Sequence, residues 1–139
     1  TEALAIVDAI HRAEPGDVHA KEMIAESSRL IGNALSNLDR HAEAIGYLDH
    51  VVQYHVDAAS NSPDSERSWR LLADARRARA AVLDNAGLFD RACVEWQRAG
   101  VVVEKIEADF AVSDGFAEEL AELVGQALSE CSAKPGEGG

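Results

Sequence analysis

Arg29 and Asn33 stand four residues apart, and Asn37 follows four later, so on a helix the three share one face. A guanidinium presents a planar fork of donors, and an amide one turn on offers both a donor and an acceptor. Together they can hold a carboxylate and a backbone group of one extended segment. Glu22 and Glu26 lie on the same face. A second set at helical spacing comprises Arg70, Asp74, Arg77, Ala81 and Asn85, and an acidic third comprises Glu119, Glu122, Gln126 and Glu130. The chemistry these faces offer is recognition of a polar or charged segment. Arg29, Asn33, Asn37, Arg70, Arg77 and Asn85 are the candidate partner-binding residues. The competing reading is a set of solvated helix faces laced by ion pairs one turn apart, such as Arg70 with Asp74.

Other chemistry finds little support. His50 and His55 are five apart and fall on different sides of a helix, and His11 and His19 only flank a turn with Asp17. Neither has the spacing of metal ligands, so no metal site is expected. There is no glycine-rich phosphate loop and no nucleophile elbow, and the pair Glu118-Glu119 on an exposed helix should stay ionised. The expectation is a non-catalytic protein without cofactors. Cys93 and Cys131 both occupy apolar helical positions and read as reduced core residues of a cytoplasmic protein.

The elements that position these residues are helices throughout. Ala3, Ile6, Val7 and Ile10 share one face of a first helix, ended by Glu14-Pro15-Gly16-Asp17; Pro15 cannot continue a helix and Asp17 suits the next N-cap. A second helix runs to about Leu38 and a third to about Ala59. The stretch from Ser60 to Ser65 is the clearest loop. Asp64 or Ser65 caps a fourth helix that ends near Gly87, a residue suited to the left-handed C-terminal position. A fifth spans about Asp90 to Phe110, and a sixth ends near Ser132. No stretch alternates with period two, so no sheet is expected. Residues 1–132 then form one helical domain, and residues 133–139 a disordered tail.

Net charge is −12 in 139 residues. A chain this acidic repels phosphate backbones, which argues against nucleic acid as a partner. No apolar run approaches the roughly 20 residues a membrane helix needs. Against this background Arg67, Arg70, Arg76, Arg77 and Arg79 form a basic band. Two uses stay open: neutralising the acidic C-terminal helix of the same chain, or receiving an acidic partner, including a second copy in a homodimer.

The chain also repeats itself. Leu30-Ile31-Gly32-Asn33-Ala34-Leu35-Ser36 returns as Leu123-Val124-Gly125-Gln126-Ala127-Leu128-Ser129, with a weaker copy at Ala78-Arg79-Ala80-Ala81-Val82-Leu83-Asp84. Glu43-Ala44-Ile45 with Leu48 and Val51 is echoed by Arg91-Ala92-Cys93 with Trp96 and Ala99. Self-similarity at a long period marks stacked repeats. Gly32, Leu35, Leu38, Ala44, Leu48 and Val51, and then Ala80, Leu83, Gly87, Phe89, Ala92, Trp96 and Ala99, give a small-and-large packing pattern that resembles the tetratricopeptide repeat (TPR) family. Ala3, Val7, Ile10 and Pro15 fit the second half of a unit. The spacing is longer than the family's period of about 34 residues, since Ala3 to Ala44 is 41 and Ala44 to Ala92 is 48. Asp39 also stands where the family has a turn glycine, and His41 where it has an aromatic.

The resemblance implies an all-α fold of about six helices, paired antiparallel and stacked into a right-handed superhelix whose concave wall is built by the first helix of each pair. It also implies a protein or peptide partner. Arg29 with Asn33 resembles half of the clamp by which some family members grip a peptide C-terminus, but Ala78 and Asp74 stand where a second amide and a lysine would be needed. A groove for an extended or helical partner segment is the broader expectation. The chain opens on Thr1 within a helical pattern and reads as part of a larger regulatory protein. Two alternatives are a peptide-sensing domain of a transcription regulator and a self-association domain.

Overall fold

The computed structural model describes residues 18–110 and 115–131. Within them the chain is all-helical: α1 (Val18–Asn37), α2 (His41–Asn61), α3 (Glu66–Asn85), α4 (Phe89–Asp109) and α5 (Phe116–Cys131). These match the second to sixth helices read from the sequence. The first of the six, and the tail at 133–139, lie outside the described residues.

Local chemistry sets the helix ends. Ser65 caps α3 by accepting a hydrogen bond from the Ser68 amide at 3.2 Å. At the end of α1 the Arg40 amide donates to Leu35 O at 2.9 Å and the Asp39 amide to Ser36 O at 3.1 Å. The end of α3 repeats this, with Leu88 donating to Leu83 O and Gly87 to Asp84 O, each at 3.0 Å. Such a double closure requires a left-handed residue. Gly87 supplies it with φ +78°, and Asp39 supplies it with φ 60°.

Each helix packs on the next in sequence, and α1 also touches α3. Ala44, Tyr47, Leu48, Leu35, Ala78 and Val82 form one apolar cluster. A larger one joins Leu72, Ala80 and Leu83 of α3 to Trp96, Ala99, Val103 and Ile106 of α4 and to Leu120 and Val124 of α5. Small residues allow these approaches: a Cβ on Gly32 would run into Leu48 Cδ2 and come within 3.4 Å of Tyr47 Cβ. Leu38 departs from the expected packing set, since it lies past the last turn of α1 and is exposed.

The cysteines overturn the expectation of reduced thiols. Cys93 of α4 and Cys131 of α5 form a disulfide, with Cα atoms 6.0 Å apart. Helical spacing placed both on partly buried faces, but their pairing depends on how α5 lies across α4. Disulfides persist in oxidising compartments and are rare in the cytosol, so the cysteines no longer support a cytoplasmic location. No helix among the described residues is long and apolar enough to cross a membrane.

Candidate functional site

α1 and α3 run parallel, because α2 returns the chain between them. Three contacts mark their alignment. Arg67 Nη2 of α3 donates to Glu22 Oε2 of α1 at 3.0 Å. Arg29 Nε lies 3.8 Å from Asp74 Oδ2. Asn85 Nδ2 donates to Ser36 Oγ at 3.0 Å. The polar faces of α1 and α3 therefore meet along one wall, whereas Glu119, Glu122, Gln126 and Glu130 are exposed on α5, which packs on α4.

On that wall the candidate arginines are engaged within the chain. Arg29 Nε donates to Glu26 Oε2 at 3.2 Å, with a second, shorter contact between the same side chains. This bond, helped by Asp74, outweighs burial and holds the Arg29 pKa above its ordinary value. Arg77 Nη2 donates to the other Asp74 oxygen at 2.8 Å, so Asp74 bridges Arg29 and Arg77. Arg70 lies 3.3 Å from Glu66 and stacks its guanidinium 4.3 Å above the Phe116 ring at the start of α5. Asn33 is half-buried and Asn37 exposed at the helix end. The wall thus links Arg29 to Arg77 through Asp74 and seats Arg70 on Glu66, with Asn85 at its far end.

Beneath it lies His55 of α2, buried with its ring edge-on to Tyr54. Burial lowers its pKa below the usual value; Glu22, Glu26 and Asp74 pull the other way, and Arg29 adds to the lowering. The imidazole is accordingly neutral near pH 7. Beside this network a depression of about 280 Å³ is lined by Glu66, Arg67, Arg70, Leu71, Asp74 and Phe116. Leu71 and Phe116 give it apolar surface, and both signs of charge surround them.

Glu95 is not among the candidate residues expected from the sequence. It sits on the buried face of α4 and is 1% exposed. Arg76 Nη1 donates to its Oε1 at 2.7 Å, and Arg79 donates to its other oxygen. Arg79 also reaches Asp49 of α2 at 2.7 Å. Burial opposes the charge on Arg79, but Asp49 and Glu95 outweigh it and raise its pKa. The signal was present in the pattern, because a glutamate falls between Ala92 and Ala99 on a core face. The arginine band is thus taken up by Glu22, Glu66, Asp74, Asp49 and Glu95, carboxylates carried by α1 to α4. Among the described residues no three His, Cys, Asp or Glu side chains are grouped as metal ligands would be.

No protein-family model, curated protein or solved structure matches the chain.

Proposed function

We propose that the chain is a non-catalytic interaction module, a TPR-like stack of helix pairs that binds a protein or peptide segment along the wall of α1, α3 and the start of α5. The observation that carries this reading is the open depression beside Arg67, Arg70 and Asp74, where Leu71 and Phe116 offer apolar contact inside a rim of both charges. Such a site suits an extended segment that places an apolar side chain in the depression and exchanges ion pairs with the rim. Arg29, Arg70 and Arg77 already have carboxylate partners, so a ligand carboxylate competes with Glu26, Glu66 and Asp74. Specificity then comes from the charge pattern more than from one strong clamp.

The test is selection of a displayed random peptide library on the wild-type chain and on Arg70→Glu/Leu71→Glu. Enriched peptides that bind the wild type and lose at least tenfold in affinity to the variant support the wall. Peptides that bind both equally, or no enrichment at all, defeat it.

A further inference from the structure

One side of α4 sets cations among exposed valines. Val94 and Val101 are 45 and 65% exposed. Arg91 and Arg98, each three residues before one of them, are exposed as well, and Lys105 continues the row with its side chain half-buried. The steps from Arg91 through Val94, Arg98 and Val101 to Lys105 alternate three and four. That alternation is the spacing of a coiled-coil seam, here about 21 Å long. No carboxylate occupies a position in the row, although the chain as a whole carries −12.

The neighbouring helices pack on other sides of α4. Ala92, Trp96, Ala99 and Ile106 form its buried face. α5 approaches where a Cβ on Gly100 would come within 3.3 Å of Val124 and where Cys93 is bonded to Cys131, roughly 130° around the helix from the row. Lys105 is paired with Asp109, whereas Arg98, at the centre, makes no ion pair with a described residue. Beside the row a depression of about 390 Å³ is lined by Arg79, Arg91, Val94 and Arg98, with Asp90 as its one carboxylate. Arg79 is committed to Asp49 and Glu95, so Arg98 is the cation best placed to receive a carboxylate from outside.

We propose that this row docks an acidic amphipathic helix of a partner protein, lying along α4 with carboxylates against Arg91 and Arg98 and apolar side chains against Val94 and Val101. A seam of alternating three- and four-residue steps is what a second helix covers when it crosses at a shallow angle. The arginine stems lie over apolar surface while their forks hold carboxylates, and a basic helix is rejected by the same charges. The acidic residues elsewhere on the chain are screened beyond about 8 Å at physiological salt, so the local charge of the row decides the encounter. Glu119, Leu123, Gln126 and Glu130 make a similar row on α5, but with one apolar residue to set against two valines, which makes a second copy of the chain the poorer fit. None of the five residues of the row belongs to the wall of α1 and α3, so the two surfaces stand or fall separately.

The test is fluorescence anisotropy on the full chain with two labelled three-heptad helical peptides. One carries Glu at a and Leu at d, the other the reverse, to suit parallel and antiparallel docking; control peptides have Lys in place of these Glu residues. One acidic peptide should bind, more weakly as salt is raised, and its Lys control at least about tenfold more weakly. Arg98→Glu and Val101→Glu should each cost at least about tenfold, while Arg70→Glu/Leu71→Glu, on the wall, should bind the peptide as the wild type does. No binding by either acidic peptide, or equal binding by wild type and Arg98→Glu, overturns the proposal. Sedimentation of the chain alone adds a third outcome: a dimer that Arg98→Glu dissociates would make a second copy the occupant and likewise overturn it. Arg98 and Val101 both face solvent, so circular dichroism can verify that the variants keep their fold.

Discussion

Glu95→Gln should be among the most damaging isosteric changes in the chain. The carboxylate is 1% exposed, and its two arginine partners, Arg76 and Arg79, keep side-chain exposures of only 17 and 19%. Two charge-assisted hydrogen bonds contribute about 1.5–3 kcal/mol each. Removing the acid also strands two largely desolvated cations, the situation in which breaking a buried pair costs about 3–5 kcal/mol. Arg79 retains Asp49 and both guanidinium groups can turn toward water, which places the expected loss near the lower end, about 3 kcal/mol. For a chain of this size that is a fall of about 12 °C in Tm. Urea unfolding followed by tryptophan fluorescence measures it, because Trp96 neighbours the site on α4. The urea midpoint should drop with an unchanged slope, while Glu107→Gln on the exposed side of α4 stays within about 0.5 kcal/mol of wild type. Replacing Arg76, Arg79 and Glu95 together by leucine should recover most of the loss, since the penalty comes from stranded charge more than from lost attraction. A Glu95→Gln midpoint indistinguishable from wild type would refute the reasoning.

Gly32→Ala should lose about 1 kcal/mol, because a clash with fully buried Leu48 exceeds the gain in helix propensity, whereas Gly125→Ala, which meets nothing within 4 Å, should gain about 0.5–1 kcal/mol; thermal melts of the two decide it, and equal shifts count against the packing account. The disulfide closes a separation of 38 residues, so full reduction should lower stability by about 4 kcal/mol in the chain-entropy account and raise hydrogen exchange in α5 first; an unchanged urea midpoint in reductant contradicts this. His55 has a lowered pKa in the fold, so its neutral form is the stabilised one. Stability from this group is complete above the unfolded value near 6.5 and falls as pH drops below it, by at most about 1.4 kcal/mol per pH unit until the folded pKa is reached. Glu22, Glu26, Asp74 and Arg29 act on the same ring. Urea midpoints for wild type and His55→Leu between pH 7.5 and 5.5 should diverge, and parallel curves would exclude the effect.

The helices themselves were legible in the linear pattern. Their ends depend on neighbours a few residues away: the Ser65 cap, the left-handed Gly87, the Ser62-Pro63 break before α3. The same holds for which side chains share a face, because the angle of a residue around its own helix follows from its number alone. That is why Arg29, Arg70, Arg77 and Asn85 could be grouped before their partners were known. Asp39 shows the margin of such reasoning. It replaces the expected glycine yet takes the same left-handed turn at φ 60°, as short polar residues can.

What meets what was decided by tertiary structure. The heptapeptides at 30–36 and 123–129 are near copies, yet Gly32 is pressed against Leu48 while Gly125 faces open space, and Ile31 is exposed where Val124 is buried. α1 has a helix after it to pack against, whereas α5 packs back on α4. The pairing of Cys93 with Cys131 and the convergence of Arg76 and Arg79 on Glu95 depend on the same thing. Periodicity sets an angle on one helix; a contact needs the angle, offset and separation of a second, which side-chain packing across the whole array determines.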